Sequence, residues 1–265
     1  MKDFIRINGN ICRLTIPYKD IFTTLYTVTT PEGAVLFDAA STDEDIRTYL
    51  PPLLAAAGIL PEALRYVFIS HHHKDHSGGL AELVKLFPHI RILSRSPQLA
   101  ELYGADRLHS PEDEEKILGC LRSITIPGHT ADSMALLDER TRTLITGDSL
   151  QQFGIFGSSD WGAAISLPTE HFAALEKVRK LGADQILAAH EYHPCGYRAD
   201  SREAGERMLD ACIEPLLRLR ALIADHPELD DVQIRQAYLD TDRVPPIHVR
   251  VVAAMRRTLE TGSKT

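Results

Sequence analysis

The sequence predicts an α/β protein in which helices flank two groups of strands and a helical segment closes the chain. Three observations carry that reading. Short β-rich runs open the chain. Strand and helix patterns then alternate, the order expected of α/β architecture. Beyond Asp200 the apolar residues recur three or four apart, which is helical spacing.

The opening runs, residues 11–16, 23–29 and 34–37, are bounded by turn formers such as Asn8-Gly9-Asn10 and Pro31-Glu32-Gly33 and read as antiparallel strands. A helix follows over 43–57, with Ser41 or Thr42 as N-cap, a kink or restart at Pro51-Pro52, and Gly58 closing it. Strands at 66–69 and 90–93 then alternate with helices at 80–86 and 97–103. A second β-rich block holds 121–126, 134–137 and 144–146, and leads to a helix at 169–181 and a strand at 185–188. In the tail, Leu209, Cys212, Ile213, Leu216, Leu219 and Ile223 carry the helical repeat. The break between Pro194 and Asp200 divides a catalytic domain over 1–198 from a helical extension over 199–265 packed on it.

A chain of 265 residues has room for one sizeable core, and 44% hydrophobic with 25% charged residues is the balance of a globular protein. The net charge of −8 argues against nucleic acid, whose phosphates call for a field of Lys and Arg. No stretch approaches the ~18 apolar residues needed to span a bilayer. The expectation is a cytoplasmic protein acting on a small molecule, with neither nucleic acid nor membrane as partner; the helical tail leaves a homodimer open. Cys12, Cys120, Cys195 and Cys212 are scattered and form no C-x-x-C pair, so they read as reduced structural residues.

The chemistry concentrates in Ser70-His71-His72-His73-Lys74-Asp75-His76-Ser77-Gly78-Gly79, which follows the apolar run Val67-Phe68-Ile69. On extended backbone, side chains alternate, so His71 and His73 project to one side and His72 to the other. Imidazoles suit zinc and its neighbours, and Asp75 beside His76 adds an anionic oxygen, so two ligand pairs can face two adjacent cations. The glycines permit a tight turn. Three more donors each follow an apolar β-like run: His129 after Ile126-Pro127-Gly128, Asp148 after Leu144-Ile145-Thr146-Gly147, and His190 after Ile186-Leu187-Ala188-Ala189. Strand ends are where α/β scaffolds place their sites.

These motifs, in this order, resemble those of the metallo-β-lactamase-fold hydrolases, and the His-His-His-x-Asp-His-x-Gly-Gly form is similar to glyoxalase II. The match spans roughly residues 10 to 195. It implies an αββα sandwich of two mixed β-sheets flanked by helices. It also implies two divalent metal ions, zinc by default with iron or manganese as alternatives, one held by His71, His73 and His129 and the other by Asp75, His76 and His190, with Asp148 between them. Asp38, at the end of residues 34–37, corresponds to an aspartate that supports the site. Two cations about 3.5–4 Å apart lower the pKa of a shared water and generate a hydroxide nucleophile, which Asp75 can orient.

The resemblance implies a dinuclear hydrolase of a small-molecule thioester, ester or lactone. The stretch after Asp148 lacks the Lys and Tyr that glyoxalase II uses for glutathione, and no Tyr lies between Asp148 and His190. Gln151-Gln152-Phe153-Gly154-Ile155-Phe156-Gly157 and the single Trp161 read either as a substrate wall or as a loop packing its aromatics on the body. His193 reads as a loop histidine or a pocket residue. Alternative readings are a phosphodiesterase of the same fold, a mononuclear iron dioxygenase of a persulfide using His71, His129 and Asp148 alone, and a metal-stabilised binding protein indifferent to loss of Asp75.

Overall fold

The computed structural model describes residues 4–158, 161–241 and 247–262. It is a mixed α/β fold with two mixed β-sheets, as the sequence predicts. The chain divides into two compact units, Met1–Thr125 with Met134–Thr141, and Ile126–Ser133 with Arg142–Thr265.

In the first unit, β1 (Phe4–Arg6), β2 (Ile11–Tyr18), β3 (Ile21–Thr30) and β4 (Gly33–Phe37) form an antiparallel run. β5 (Leu64–Phe68), β6 (Arg91–Leu93) and β7 (Leu108–His109) continue the sheet in parallel, beginning beside β4. β8 (Lys116–Ile117), β9 (Leu121–Thr125) and β10 (Met134–Asp138) pair antiparallel. Helix α1 (Asp43–Ala57) begins where the Thr42 hydroxyl accepts from the Asp45 N–H, and Asp43, Glu44 and Asp45 complement its positive end. It runs as one element through Pro51 and Pro52 to Gly58, whose φ of 73° closes it. Its Ile46, Leu50, Leu53 and Leu54 join Leu14, Leu25, Leu36 and Val67 in the core of this unit. Each such buried side chain contributes roughly 1.5–3 kcal/mol.

The short α2 (Lys74–Ser77) and α3 (Leu80–Leu86) follow β5. α4 (Pro97–Arg107) is broken at Gly104, whose φ of 67° and ψ of 165° end the regular helix where the sequence ends it, near Tyr103. Gly78 and Gly79 have ordinary negative φ; they are small for another reason. Their N–H groups donate to the Ala40 and Ala39 carbonyls at 3.0 Å, and a Cβ at either would collide with the backbone of residues 39–42. Close approach, rather than a tight turn, requires them.

In the second unit, β11 (Thr143–Ile145) pairs in parallel with β13 (Gln185–His193), which also takes β12 (Gly154–Ile155) and β14 (Gly196–Ala199) antiparallel. β13 outruns the sequence expectation by five residues because β12 and β14 supply partners to its C-terminal half; residues 189–193 lack a longer apolar run to announce it. α5 (Pro168–Leu181) is followed by α6 (Arg202–Asp225), capped by the Ser201 hydroxyl, then α7 (Asp231–Thr241) and α8 (Val249–Gly262). Leu216, Leu219 and Ile223 of α6, Ile234 of α7 and Val251 and Val252 of α8 form one core with Ile165. The four cysteines are free. No helix among the described residues is long and apolar enough to cross a membrane.

Candidate metal centre

β4 and β5 lie side by side with Phe37 opposite Phe68, so the residues that leave their ends, Asp38 and Ser70, are neighbours. Asp38 takes a φ of 65°, a left-handed conformation that a short polar side chain tolerates better than most. Its fully buried carboxylate accepts from the Ser70 N–H at 2.7 Å, from the Ser70 hydroxyl at 3.1 Å and from His76 Nδ1 at 2.8 Å. Burial pushes the Asp38 carboxyl above its usual range, and His76 and Ser70 pull it back.

With its proton given to Asp38, the Ser70 oxygen is left to accept from His71 Nδ1, 3.0 Å away. The histidines therefore have defined tautomers. His71 and His76 each commit Nδ1–H to the protein and keep the Nε2 lone pair for another partner. His71 Nε2 lies 3.0 Å from His73 Nδ1, and His76 Nε2 lies 3.4 Å from Asp75 Oδ2. His71 and His73 are thus brought together, as alternation along the chain requires, and so are Asp75 and His76. Thr23 fixes the last pair by donating to the Asp75 carbonyl at 2.5 Å. Ser77, donating to the His72 and His73 carbonyls, holds the turn.

In the second unit the parallel pairing of β11 with β13 puts Asp148, three residues past Ile145, beside His190, three past Leu187. His190 Nε2 is 3.2 Å from Asp148 Oδ1. His129 approaches the other oxygen: its Nε2 is 3.7 Å from Asp148 Oδ2. The carboxylate thus turns one oxygen to each imidazole. His129 Nδ1–H donates to the Ala164 carbonyl at 2.5 Å, repeating the pattern of His71 and His76. Gln151 holds the peptide that anchors the ring, its Oε1 accepting from the Ala164 N–H at 2.6 Å. All three side chains of the His129, Asp148 and His190 group are buried.

Sequence reasoning named these candidate donors but not the groups that orient them. Ser70 carried a signal, since it immediately precedes the histidine motif; Gln151 and the Ala164 carbonyl carried none that spacing reveals. His193 closes β13 and meets the edge of the Phe156 ring, centroids 5.1 Å apart. Burial raises the pKa of the half-buried Cys195 thiol, which suits a structural residue and not a reactive thiolate.

A model of the metallo-beta-lactamase superfamily matches residues 19–190, which takes in both halves of the donor set. The chain belongs to the metallo-beta-lactamase superfamily. Hydroxyacylglutathione hydrolase of Edwardsiella ictaluri is 32% identical over 136 residues, 51% of this chain and 49% of that one. Atrochrysone carboxyl ACP thioesterase of Emericella nidulans is 27% identical over 137 residues, 49% and 39% of the two chains. The chain therefore spans half the length or less of these two hydrolases. A metallo-beta-lactamase family protein of Thermus thermophilus superposes with a TM-score of 0.64 at 20% identity, covering 98% of this chain and 95% of that one, and shares the fold. Membership of the metallo-beta-lactamase superfamily implies divalent metal ions, and the donor chemistry fits them: neutral imidazoles with oriented lone pairs beside carboxylates.

Proposed function

We propose that this metallo-beta-lactamase superfamily chain is a metal-dependent hydrolase of a small-molecule thioester, ester or lactone, working with two divalent cations. His71, His73 and His129 would hold one and Asp75, His76 and His190 the other, with Asp148 as the carboxylate that would serve both; the donor atoms within each of the groups His71, His73, His129 and Asp75, His76, Asp148, His190 lie close to one another. The single observation that supports this best is the Asp148 carboxylate, whose two oxygens face two different imidazole Nε2 atoms.

When bound, the cations supply a water of lowered pKa and a Lewis acid for the substrate oxygen. The chain's own groups do the rest. Asp38, through Ser70 and His76, fixes the tautomers that leave His71 Nε2 and His76 Nε2 as donors. Asp75, only partly buried and tied down by Thr23, is the carboxylate placed to orient the attacking water and receive its proton. Zinc is the first choice of metal, because histidine and carboxylate donors with no thiolate suit it, as they suit iron or manganese. The partner is a small molecule, and the net charge of −8 disfavours nucleic acid.

The test is turnover by the metal-loaded chain on acyl thioesters, lactones and aryl phosphodiesters. Hydrolysis of thioesters or lactones, lost in Asp75→Ala, is expected. Activity confined to phosphodiesters would replace this reading with the phosphodiesterase. Oxygen uptake with a single bound iron would replace it with the dioxygenase.

A further inference from the structure

The parallel strands β5, β6 and β7 present two unlike faces. Val67, Ile92 and Leu108 are partners in register, and all three join the core built with α1. On the other face, alternation sets Tyr66 beside Arg91 and lines up Phe68, Leu93 and His109. Parallel strands are usually apolar on both sides, so an arginine, a tyrosine and a histidine on one of them call for an explanation. Lys116 and Ile117 of β8, with Leu118 after it, complete over this face a cleft of about 220 Å³. The donors of the candidate metal centre are not among its lining residues.

Positive charge is left over in the cleft. Glu115 lines it too, but its carboxylate is spent: one oxygen accepts from His109 Nε2–H at 2.7 Å and the other from the Glu112 N–H at 2.9 Å. Lys116 reaches Glu139 only at 3.7 Å, and that carboxylate also takes Arg122 at 3.3 Å. Among the described residues, the Arg91 guanidinium and the Tyr66 hydroxyl have no ion pair or hydrogen bond. Three donors from three strands therefore line one cleft with capacity to spare.

The lip of the cleft is strained. Glu114 and Leu118, on either side of β8, take φ of 62° and 45°, a left-handed conformation that a bulky leucine rarely adopts. Such strain persists where the surroundings over-determine it, and it gathers at ligand clamps. Here the Glu114 N–H donates to the Ser123 carbonyl at 2.8 Å, the Ser123 N–H to the Glu115 carbonyl at 3.0 Å, and the Cys120 N–H to the Leu118 carbonyl at 2.7 Å. The lip is fixed in advance of any ligand.

We infer that this cleft binds a small phosphomonoester. A phosphate group brings close to two negative charges and three acceptor oxygens, which matches two cations and a phenol better than the single charge of a carboxylate does. Leu93 and Leu118 supply apolar wall for a short ester group. The site is independent of the hydrolase reading.

The zinc-loaded, isotope-labelled chain is titrated with n-butyl phosphate while its amide resonances are followed. Saturable shifts are expected at Tyr66, Arg91 and Lys116 to Leu118. Arg91→Ala, at an exposed position, should raise Kd by roughly tenfold to a hundredfold, and Tyr66→Phe by roughly twofold to tenfold. Butyrate should bind more weakly than the ester. Shifts that never saturate, or a Kd untouched by both substitutions, would overturn the proposal. So would shifts confined to His71, His73, His76, His129 and His190, which would put the ester at the metal centre. Butyrate binding as tightly as butyl phosphate would overturn the phosphate class.

Discussion

His76 Nδ1 lies 2.8 Å from Asp38 Oδ2, with both side chains wholly shielded from solvent. A buried carboxylate that accepts from an imidazole and from Ser70 is there to orient, because each acceptor site is used by a group that itself serves a donor. Asp38→Asn keeps the volume and removes the charge. Metal affinity is expected to fall about 10–100-fold, with the metal-free chain destabilised by about 1–3 kcal/mol. Competition with a chelator and urea unfolding check the two effects; an unchanged affinity would make Asp38 a packing residue only.

Gln151 positions His129 through Ala164, whose N–H it accepts and whose carbonyl takes the His129 Nδ1 proton. Gln151→Ala takes the acceptor from the Ala164 N–H and loosens the carbonyl that holds the imidazole, so kcat/KM is expected to fall by roughly tenfold to a hundredfold. Gln151→Glu retains an acceptor for the Ala164 N–H and is expected to recover part of the loss. Equal kinetics for Gln151→Ala and the parent would show that the Ala164 carbonyl keeps its place without Gln151.

The candidate donors could be named from sequence because they obey one rule: each follows an apolar run that ends a strand or leads out of one. That places His71, His73, Asp75, His76, His129, Asp148 and Asp38 without any knowledge of pairing. His190 fits the rule less well, since it lies inside β13 and not beyond it. The extension depends on β12 and β14, partners remote in sequence, and local periodicity cannot register them. The orienting groups were silent for a related reason. Serine, glutamine and a backbone carbonyl have no spacing that distinguishes a partner of histidine from any other polar group, and Gly78-Gly79 looks like a turn when its purpose is backbone contact.

Gly128 precedes His129 at a φ of 154°, and a Cβ there would stand 2.6–2.8 Å from His171 Nδ1, Cβ and Cα. The Gly128 carbonyl also accepts from the Ser166 and Leu167 N–H groups at 2.9 Å at the start of α5. Gly128→Ala should therefore both strain the backbone and push α5 away. A loss of about 2–5 kcal/mol in urea unfolding is expected. A loss below about 1 kcal/mol would mean that α5 shifts freely.

His171 itself is buried, and its pKa is pushed down to about 3 by desolvation, with the His129 charge as a lesser cause. The unfolded chain binds this proton near pH 6.5 and the folded chain only near 3. The stability from keeping the ring neutral is thus whole above pH 6.5 and drains away as pH falls from there toward 3. His171→Leu should lessen the acid slope by up to one proton, about 1.4 kcal/mol per pH unit. Parallel slopes for the two proteins between about pH 6 and 4 would remove His171 from the acid response.

The most direct measurement is the number of divalent ions per chain, by elemental analysis of zinc-loaded protein and of His71→Ala and His190→Ala, each purified in parallel. The proposed dinuclear centre predicts two ions in the parent and about one in each variant. A single ion in the parent, lost with His71 and indifferent to His190, would contradict the dinuclear centre.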